Sequence, residues 1–233
     1  MRSRTWRGTY ATGTTRCSSS SPAAAAGFSH PARAKPCRAC QVRRAVQECG
    51  VRTAPVRLFI GIYPPREAAQ AMLASLDELA RDRSKDLPTF RPTPLEQVHL
   101  TVHFVGTVGK GEVDGVGQSL ARAVSGISAC ELRAVKLVAL PPRQPRVLAV
   151  ETTLPAGLRE LQRRLVTRLA SKPSGRVYLP HITVCRFKGR GPQDLQERAL
   201  DIPGFAVTEV CLMRSVLRPE GAEHRLVERF SLG

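Results

Sequence analysis

From residue 56 onward, apolar and polar positions follow the periods of strands and helices. Residues 57–63 (RLFIGIY) predict a strand, and Pro64-Pro65 then opens a helix. Apolar residues at three-to-four spacing give this helix one continuous stripe that ends near Arg83: Ala68, Ala69, Met72, Leu73, Leu76, Leu79 and Ala80. Such a stripe indicates packing against a core rather than a site.

The same patterns predict the remaining elements. We expect a strand around His99, a helix over 113–124, strands over 130–140 and 146–153, a helix over 158–169, a strand around His181, a short helix from Pro192, and closing strands near 205–217 and 225–232. Strand and helix thus alternate in two similar rounds. This order predicts an α+β fold that is internally duplicated around a central cleft.

Each round contains one strand with the pattern His, aliphatic, Thr, aliphatic. The first is His99-Leu-Thr101-Val, and the second, 82 positions later, is His181-Ile-Thr183-Val. Alternate side chains of a strand share a face, so each His projects beside its Thr while the aliphatic residues enter the core. Two imidazoles and two hydroxyls in one cleft would suit acid-base chemistry on a phosphate ester.

Residues 1–55 differ from the rest in composition. They are rich in Arg, Ser and Ala, contain one acidic residue, Glu48, and have no lasting apolar period. We expect this basic extension to be disordered, because it offers too little apolar surface to offset the entropy of ordering. Its composition is typical of a transit-like segment and equally of a wrongly assigned start of translation. The folded domain is predicted over residues 56–233.

Charge, cysteine content and hydropathy narrow the class of protein. The net charge is +17, of which the first 56 residues carry +9, so both parts are basic and favour a polyanionic partner or a simply solvated basic surface. Seven cysteines without a secretory signal indicate free thiols in a reducing compartment. Cys37, Cys40 and Cys49 make a weak candidate zinc site. With no apolar run of membrane length, we expect a cytoplasmic protein, with organelle import as the alternative.

Four segments together resemble a known family. They are the opening strand 57–60, HLTVHFVG at 99–106, PHITVCR at 180–186, and the closing turn at 215–221. They are similar to the 2H phosphoesterase superfamily, and within it to the RNA 2′,3′-cyclic phosphodiesterases, also called the 2′-5′ RNA ligase family. The resemblance extends from Arg57 to the end of the chain.

The resemblance implies a bilobal fold of two antiparallel sheets with helices on the outside and a central cleft. It implies a metal-free enzyme without cofactors that opens 2′,3′-cyclic phosphates of RNA ends, such as tRNA fragments, or of cyclic nucleotides, and in some members seals 2′-5′ bonds. His99 would be the proton donor and His181 the proton acceptor. Thr101, Thr183 and Arg186 would bind the phosphate. We expect a monomer.

The chain also departs from the family pattern. Ala149 and His224 stand where relatives often carry an aromatic residue and a Tyr, and this predicts weaker stacking on a nucleobase. His103 and Cys185 each follow a motif Thr by two positions and are therefore expected on the cleft face, His103 beside the substrate and Cys185 as a space-filling residue without a catalytic role.

A second hypothesis is a nucleotide- or RNA-binding module that keeps the fold without catalysis. The presence of His and Thr at all four motif positions favours the enzyme, because binding alone does not require two imidazoles.

Overall fold

The structure is a computed structural model that describes residues 55–83, 87–170, 177–218 and 221–233. The predicted extension, apart from Pro55, and the candidate zinc ligands Cys37, Cys40 and Cys49 lie outside the described residues.

The described part of the chain is built around one large antiparallel sheet. Its strand order is β11-β10-β1-β3-β7-β6-β5-β8, with β2 also paired to β7, while β4 and β9 form a separate two-stranded sheet. The strands are β1 Val56–Ile62, β2 Phe90–Pro92, β3 Leu100–Val108, β4 Cys130–Leu132, β5 Ala134–Leu140, β6 Val147–Thr152, β7 His181–Phe187, β8 Arg198–Ala199, β9 Phe205–Val207, β10 Glu209–Arg218 and β11 Gly221–Ser231.

Three α-helices of the described residues share the hydrophobic core with this sheet: α1 Arg66–Asp82, α2 Val113–Val124 and α3 Ala156–Leu169. Pro65 and Pro155 cap the first and third helices at their N-termini, where the lack of an amide proton costs nothing. The predicted apolar stripes are buried, as Leu76 of α1 and Leu161 of α3 illustrate with 1% and 0% exposure. None of the helices described in the structure is long and apolar enough to cross a membrane.

The predicted α+β class is confirmed, and the two halves of the sheet meet edge to edge. One half contains β11, β10, β1 and β3, and the other contains β7, β6, β5 and β8. They join where Leu100 of β3 pairs with Ile182 of β7, so the two expected antiparallel sheets run together as one. The strands that carry the two repeated motifs are therefore neighbours in the middle of the sheet.

Two predicted elements differ in the structure. The strand expected over 130–140 breaks at Arg133, because its first part pairs with β9 and its second part with β6. The helix expected from Pro192 is wrong: residues 188–197 contain no helix. Tertiary hydrogen bonds hold this segment instead, from the Gly191 amide to the Pro145 carbonyl (2.8 Å) and from the Gln193 side chain to the Arg143 carbonyl (3.0 Å).

Candidate active site

The pairing of β3 with β7 places both motifs on one face of the sheet. Leu100 and Ile182 are strand partners with no exposed surface, and both belong to the core shared with the helices. Residues on either side of a buried strand position point to the opposite face. The His and Thr of each motif therefore lie on the sheet face opposite the helices, which we call the open face, and all four are half-buried: His99, Thr101, His181 and Thr183.

The two motif histidines are held by equivalent hydrogen bonds. Nδ1 of His99 lies 2.7 Å from the carbonyl oxygen of Gln97, and Nδ1 of His181 lies 2.9 Å from that of Leu179. A carbonyl only accepts, so each Nδ1 carries a proton and each neutral ring keeps an unprotonated Nε2. The Thr101 hydroxyl lies 3.1 Å from Nε2 of His99 and donates to it. In both rings, Nε2 is thus the nitrogen that the backbone hydrogen bond leaves available.

Each motif strand contains a bulge directly after its Thr. Thr101 pairs with Gly61 and His103 with Ile60, so β3 advances two residues while β1 advances one. In the second motif, the partners shift in the same way between β6 and β7, from Ala149 opposite Thr183 to Leu148 opposite Cys185. An extra residue in one strand reverses the alternation of the side chains that follow.

The bulges correct the expected positions of two residues. His103 and Cys185 do not share the open face with the motif threonines, because their partners Ile60 and Leu148 are fully buried on the helix side. Cys185 has no exposed surface, and burial raises the pKa of its thiol to about 11. It fills space in the core rather than beside the site. Nε2 of His103 is buried without a hydrogen-bond partner among the described residues, and burial lowers the pKa of this ring.

The reversed alternation brings the next residue of each strand onto the open face. In β3 this is Phe104, the strand partner of Phe59, with 66% of its surface exposed and its ring 6.4 Å from that of Phe59. In β7 it is Arg186, an exposed residue whose positive charge lowers the pKa of His99. Arg186 therefore lies within electrostatic reach of the first motif, as a phosphate-binding cation requires.

Small residues opposite the threonines leave room for the rings. A Cβ added to Gly61 would lie 3.2 Å from Cε2 of Phe59, 3.3 Å from the Leu100 carbonyl oxygen and 3.4 Å from Cδ2 of His99. Each of these distances is at the close limit of carbon contacts. Gly61 thus allows the ring of His99 to lie against β1. Ala149 holds the equivalent position opposite Thr183 and has no exposed surface.

Three aromatic rings enclose His99. Tyr63 is stacked on it with ring centroids 5.4 Å apart, Phe59 lies at 5.0 Å, and His224 meets it edge to face at 4.8 Å. The pKa of His99 is lowered to about 4, chiefly by burial; the hydrogen bond to the Gln97 carbonyl opposes this shift, and the charge of Arg186, with those of His224 and His181 when these rings are protonated, adds to it. His99 is therefore neutral at pH 7 in the ligand-free protein.

His181 has a different neighbour. Its partner in β6 is Glu151, whose carboxylate is partly buried and lies 3.7 Å from the amine of Lys136. The two motif histidines thus have equivalent backbone anchors and dissimilar surroundings, aromatic for His99 and charged for His181.

Sequence reasoning missed His224 as a site residue. From the sequence, this position indicated only that a Tyr common in relatives is missing. In the structure, the ring centroid of His224 lies 4.8 Å from those of His99 and Phe59. Its Nδ1 lies 3.1 Å from the Tyr63 hydroxyl. Burial and the charge of Arg186 lower its pKa. The available signal was the register of the closing hairpin, which pairs His224 with Ser215 and Ser215 with Arg57 of β1.

Among the residues that the structure describes, no three His, Cys, Asp or Glu side chains are grouped to hold a metal ion. The open face instead presents imidazoles, hydroxyls and a guanidinium, which are groups that donate to and protonate anionic oxygen atoms.

Comparisons with known proteins identify the family. The family model described as the 2′-5′ RNA ligase superfamily matches residues 59–218. The chain is 31% identical to the Methanothermobacter thermautotrophicus protein named RNA 2′,3′-cyclic phosphodiesterase over 147 residues, which are 59% of this chain and 79% of the relative. It is 29% identical to the Thermus thermophilus protein of the same name over 197 residues, which are 76% and 90% of the two chains.

Solved structures share the fold. The crystal structure of TT0787 of Thermus thermophilus has a TM-score of 0.64 at 25% identity and covers 76% of this chain and 97% of its own. The apo form of LigT from E. coli has a TM-score of 0.62 at 22% identity, with 76% and 98% covered. Because the family model covers more than half of the chain, and the paired histidine motifs lie within it, this protein belongs to the 2′-5′ RNA ligase superfamily of 2H phosphoesterases.

Proposed function

We propose that this enzyme hydrolyses terminal 2′,3′-cyclic phosphates of RNA to 2′-phosphomonoesters by acid-base catalysis between His99 and His181. The observation that carries the proposal is the pair of equivalent Nδ1 hydrogen bonds, to the carbonyls of Gln97 and Leu179. They leave two Nε2 atoms for substrate on neighbouring central strands. The names of the curated relatives support the same substrate class.

In this mechanism the cyclic phosphate lies between the two rings. Nε2 of His181 accepts a proton from water, whose oxygen bonds to phosphorus. The bond from phosphorus to the 3′-oxygen breaks, and Nε2 of His99 supplies the proton that this oxygen needs. Thr101 and Thr183 donate hydrogen bonds to the non-bridging oxygens, and Arg186 balances the charge that grows on them. Ligation would use the same attack on the cyclic phosphate with a 5′-hydroxyl in place of water. His181 would accept the proton of that hydroxyl, its oxygen would bond to phosphorus to give the 2′-5′ linkage, and His99 would protonate the departing 3′-oxygen. In the reverse cleavage of that linkage the two histidines would exchange roles.

The low pKa of His99 in the free protein bears on its role as donor. An anionic phosphate beside Nε2 favours the protonated ring and opposes the burial that lowers the pKa to about 4. The Thr101 hydroxyl, which donates to Nε2 in the free protein, then turns to a phosphate oxygen. Substrate binding thus charges the donor only when there is a phosphate to receive its proton.

The open face also offers a platform for the nucleobase. The exposed ring of Phe104 is separated from His99 by the single ring of Phe59, which contacts both. Phe104 would therefore supply the stacking that Ala149 cannot, since an aromatic side chain stacks on any base. LigT of E. coli, which shares the fold, has been crystallised with 3′-AMP.

The test is turnover of an oligonucleotide with a 2′,3′-cyclic phosphate end in buffer containing EDTA, with the products resolved by chromatography. We expect a 2′-phosphate product, and a loss of about a hundredfold or more in His99→Ala and in His181→Ala. His103→Gln is the matched control, because this histidine lies on the same strand and faces the helices. Wild-type affinity for the oligonucleotide without hydrolysis would favour a binding module instead.

The two roles can be separated with a substrate whose 3′-bridging oxygen is replaced by sulfur. Sulfur leaves without a proton, so this substrate should restore activity to His99→Ala but not to His181→Ala. Restoration of the second variant alone would exchange the two assignments. Incubation of a 2′,3′-cyclic phosphate end with a 5′-hydroxyl end tests ligation, for which the expected product is a 2′-5′-linked strand.

A further inference from the structure

A third histidine adjoins the motif pair. The ring of His224 is perpendicular to that of His99, at an interplanar angle of 86° and a centroid distance of 4.8 Å. Its other close contacts are with Phe59, edge to face, and with Tyr63, whose hydroxyl lies 3.1 Å from Nδ1. The ring of Tyr63 in turn stacks on His99 at 24°. Tyr63 therefore touches the motif histidine with its ring and the third histidine with its hydroxyl.

The hydrogen bond to Tyr63 favours one tautomer of His224. The partly buried tyrosine hydroxyl has Nδ1 of His224 as its hydrogen-bond partner among the described residues, so its own proton is satisfied when it donates to that atom. Burial raises the pKa of Tyr63, so the hydroxyl keeps this proton. A neutral His224 whose Nδ1 accepts must carry its proton on Nε2. This is the opposite tautomer to that of His99 and His181, which donate through Nδ1.

The surroundings of His224 match an anion. Its ring lies beside His99, whose Nε2 is the atom that meets the phosphate in the proposed reaction. The charge of Arg186 acts on both rings, as their lowered pKa values reflect. The edge of a half-buried imidazole with a proton on Nε2 is a hydrogen-bond donor that brings no net charge into this cluster. A phosphate oxygen is the acceptor of matching chemistry.

We propose that His224, held by Tyr63 as the Nε2–H tautomer, is a third phosphate-binding histidine that donates a hydrogen bond to a non-bridging oxygen of the substrate. The inference rests on the proposed function for the identity of the phosphate, and its test does not require turnover. The competing role is a purely structural one, in which the His224 ring only packs against His99.

Three variants separate these roles. His224→Phe keeps a ring against His99 and removes the donor, while His224→Gln loses the ring and keeps an N–H near the position of Nε2. Tyr63→Phe keeps the stack on His99 and removes the hydroxyl that fixes the tautomer. The readout is the affinity of the full chain for inorganic phosphate, measured by NMR titration in buffer containing EDTA, with amide spectra confirming that each variant is folded.

A donating His224 predicts that His224→Phe weakens phosphate binding about tenfold, as expected for one hydrogen bond to a charged group, and that His224→Gln stays within about threefold of wild type. Tyr63→Phe should weaken binding in the wild-type background and add nothing to His224→Phe, because both changes remove the same donor. The reverse order, with Phe retaining affinity and Gln losing it, would establish packing and overturn the proposal.

The tautomer is tested directly by the nitrogen chemical shifts of the histidine rings. His224 should show a protonated Nε2 and a bare Nδ1, while His99 and His181 show the opposite pattern. A proton on Nδ1 of His224 would overturn the inference. If the wild type binds phosphate through His224 but does not hydrolyse the cyclic phosphate, the proposed reaction fails while this inference stands. If it hydrolyses the ester and His224→Phe binds phosphate as wild type does, only this inference fails.

Discussion

Between pH 7 and pH 5, the free energy of unfolding should fall by about 2 kcal/mol more in the wild type than in His99→Gln. The folded protein holds the pKa of His99 at about 4, against an ordinary value of 6.5, chiefly because the ring is buried. Between these two values the unfolded chain binds a proton that the folded protein does not. Lowering the pH therefore favours the unfolded state, so this contribution to stability is present above pH 6.5 and is lost as the pH falls toward 4.

The magnitude follows from the two pKa values. Linkage between proton binding and unfolding gives a loss of about 2 kcal/mol on going from pH 7 to pH 5. It is an upper figure, because the ring keeps some contact with solvent, which screens part of the effect. The interval ends above the range in which ordinary carboxylates titrate, so the histidines dominate the change.

The assay is urea unfolding at pH 7 and pH 5, followed by circular dichroism, for the wild type and His99→Gln. The change in unfolding free energy with pH should be larger in the wild type by up to about 2 kcal/mol. His103 and His224 remain in both proteins, so their own titration contributes to both curves. His99→Phe, which also cannot be protonated, should behave like His99→Gln in this difference. Equal pH dependence in all three proteins would refute an enclosed, neutral His99.

Three further predictions concern single positions. Gly61→Ala should lower turnover about tenfold by displacing the ring of His99, whereas Gly115→Ala, with no atom within 4 Å of the added Cβ, should not. Phe104→Ala should raise KM about tenfold for adenosine 2′,3′-cyclic phosphate and leave ribose 2′,3′-cyclic phosphate unchanged, and an equal effect on both would exclude stacking. Cys185 should resist iodoacetamide until the protein unfolds, because burial raises its pKa to about 11; labelling of the native state, mapped by mass spectrometry, would contradict its burial.

The sequence predicted those features that depend on local periodicity. The helix stripes, most of the strands along the chain, and the projection of each motif His beside its own Thr follow from local periodicity, whereas the pairing of β3 with β7 that places both motifs on one face is a tertiary feature. The short helix expected from Pro192 failed, because hydrogen bonds to a distant turn outweigh a weak local preference.

After each motif threonine, the alternation of apolar and polar residues no longer predicts which face of the sheet a side chain occupies. A bulge adds one residue to a strand without a distinct signature in HLTVH or HITVC, and the side chains directly after it then change face. His103 and Cys185 were misplaced for this single reason. The pair of consecutive buried residues that a bulge creates, such as Val184 and Cys185, is visible only once burial is known.

Both halves of the sheet contain the same local arrangement around the motif histidine. The motif alone therefore cannot assign different roles to the two histidines. Each histidine has the same backbone anchor, the same threonine and the same bulge. The difference arises in the neighbouring strand, where the first half places the aromatic Tyr63 against His99 and the second pairs Glu151 with His181. The buried aromatic surroundings of His99 lower its pKa in the free protein, and the phosphate of the proposed reaction would oppose that shift, whereas the strand partner of His181 is a charged residue. We therefore expect the division between donor and acceptor to follow these two flanking residues rather than the motifs themselves.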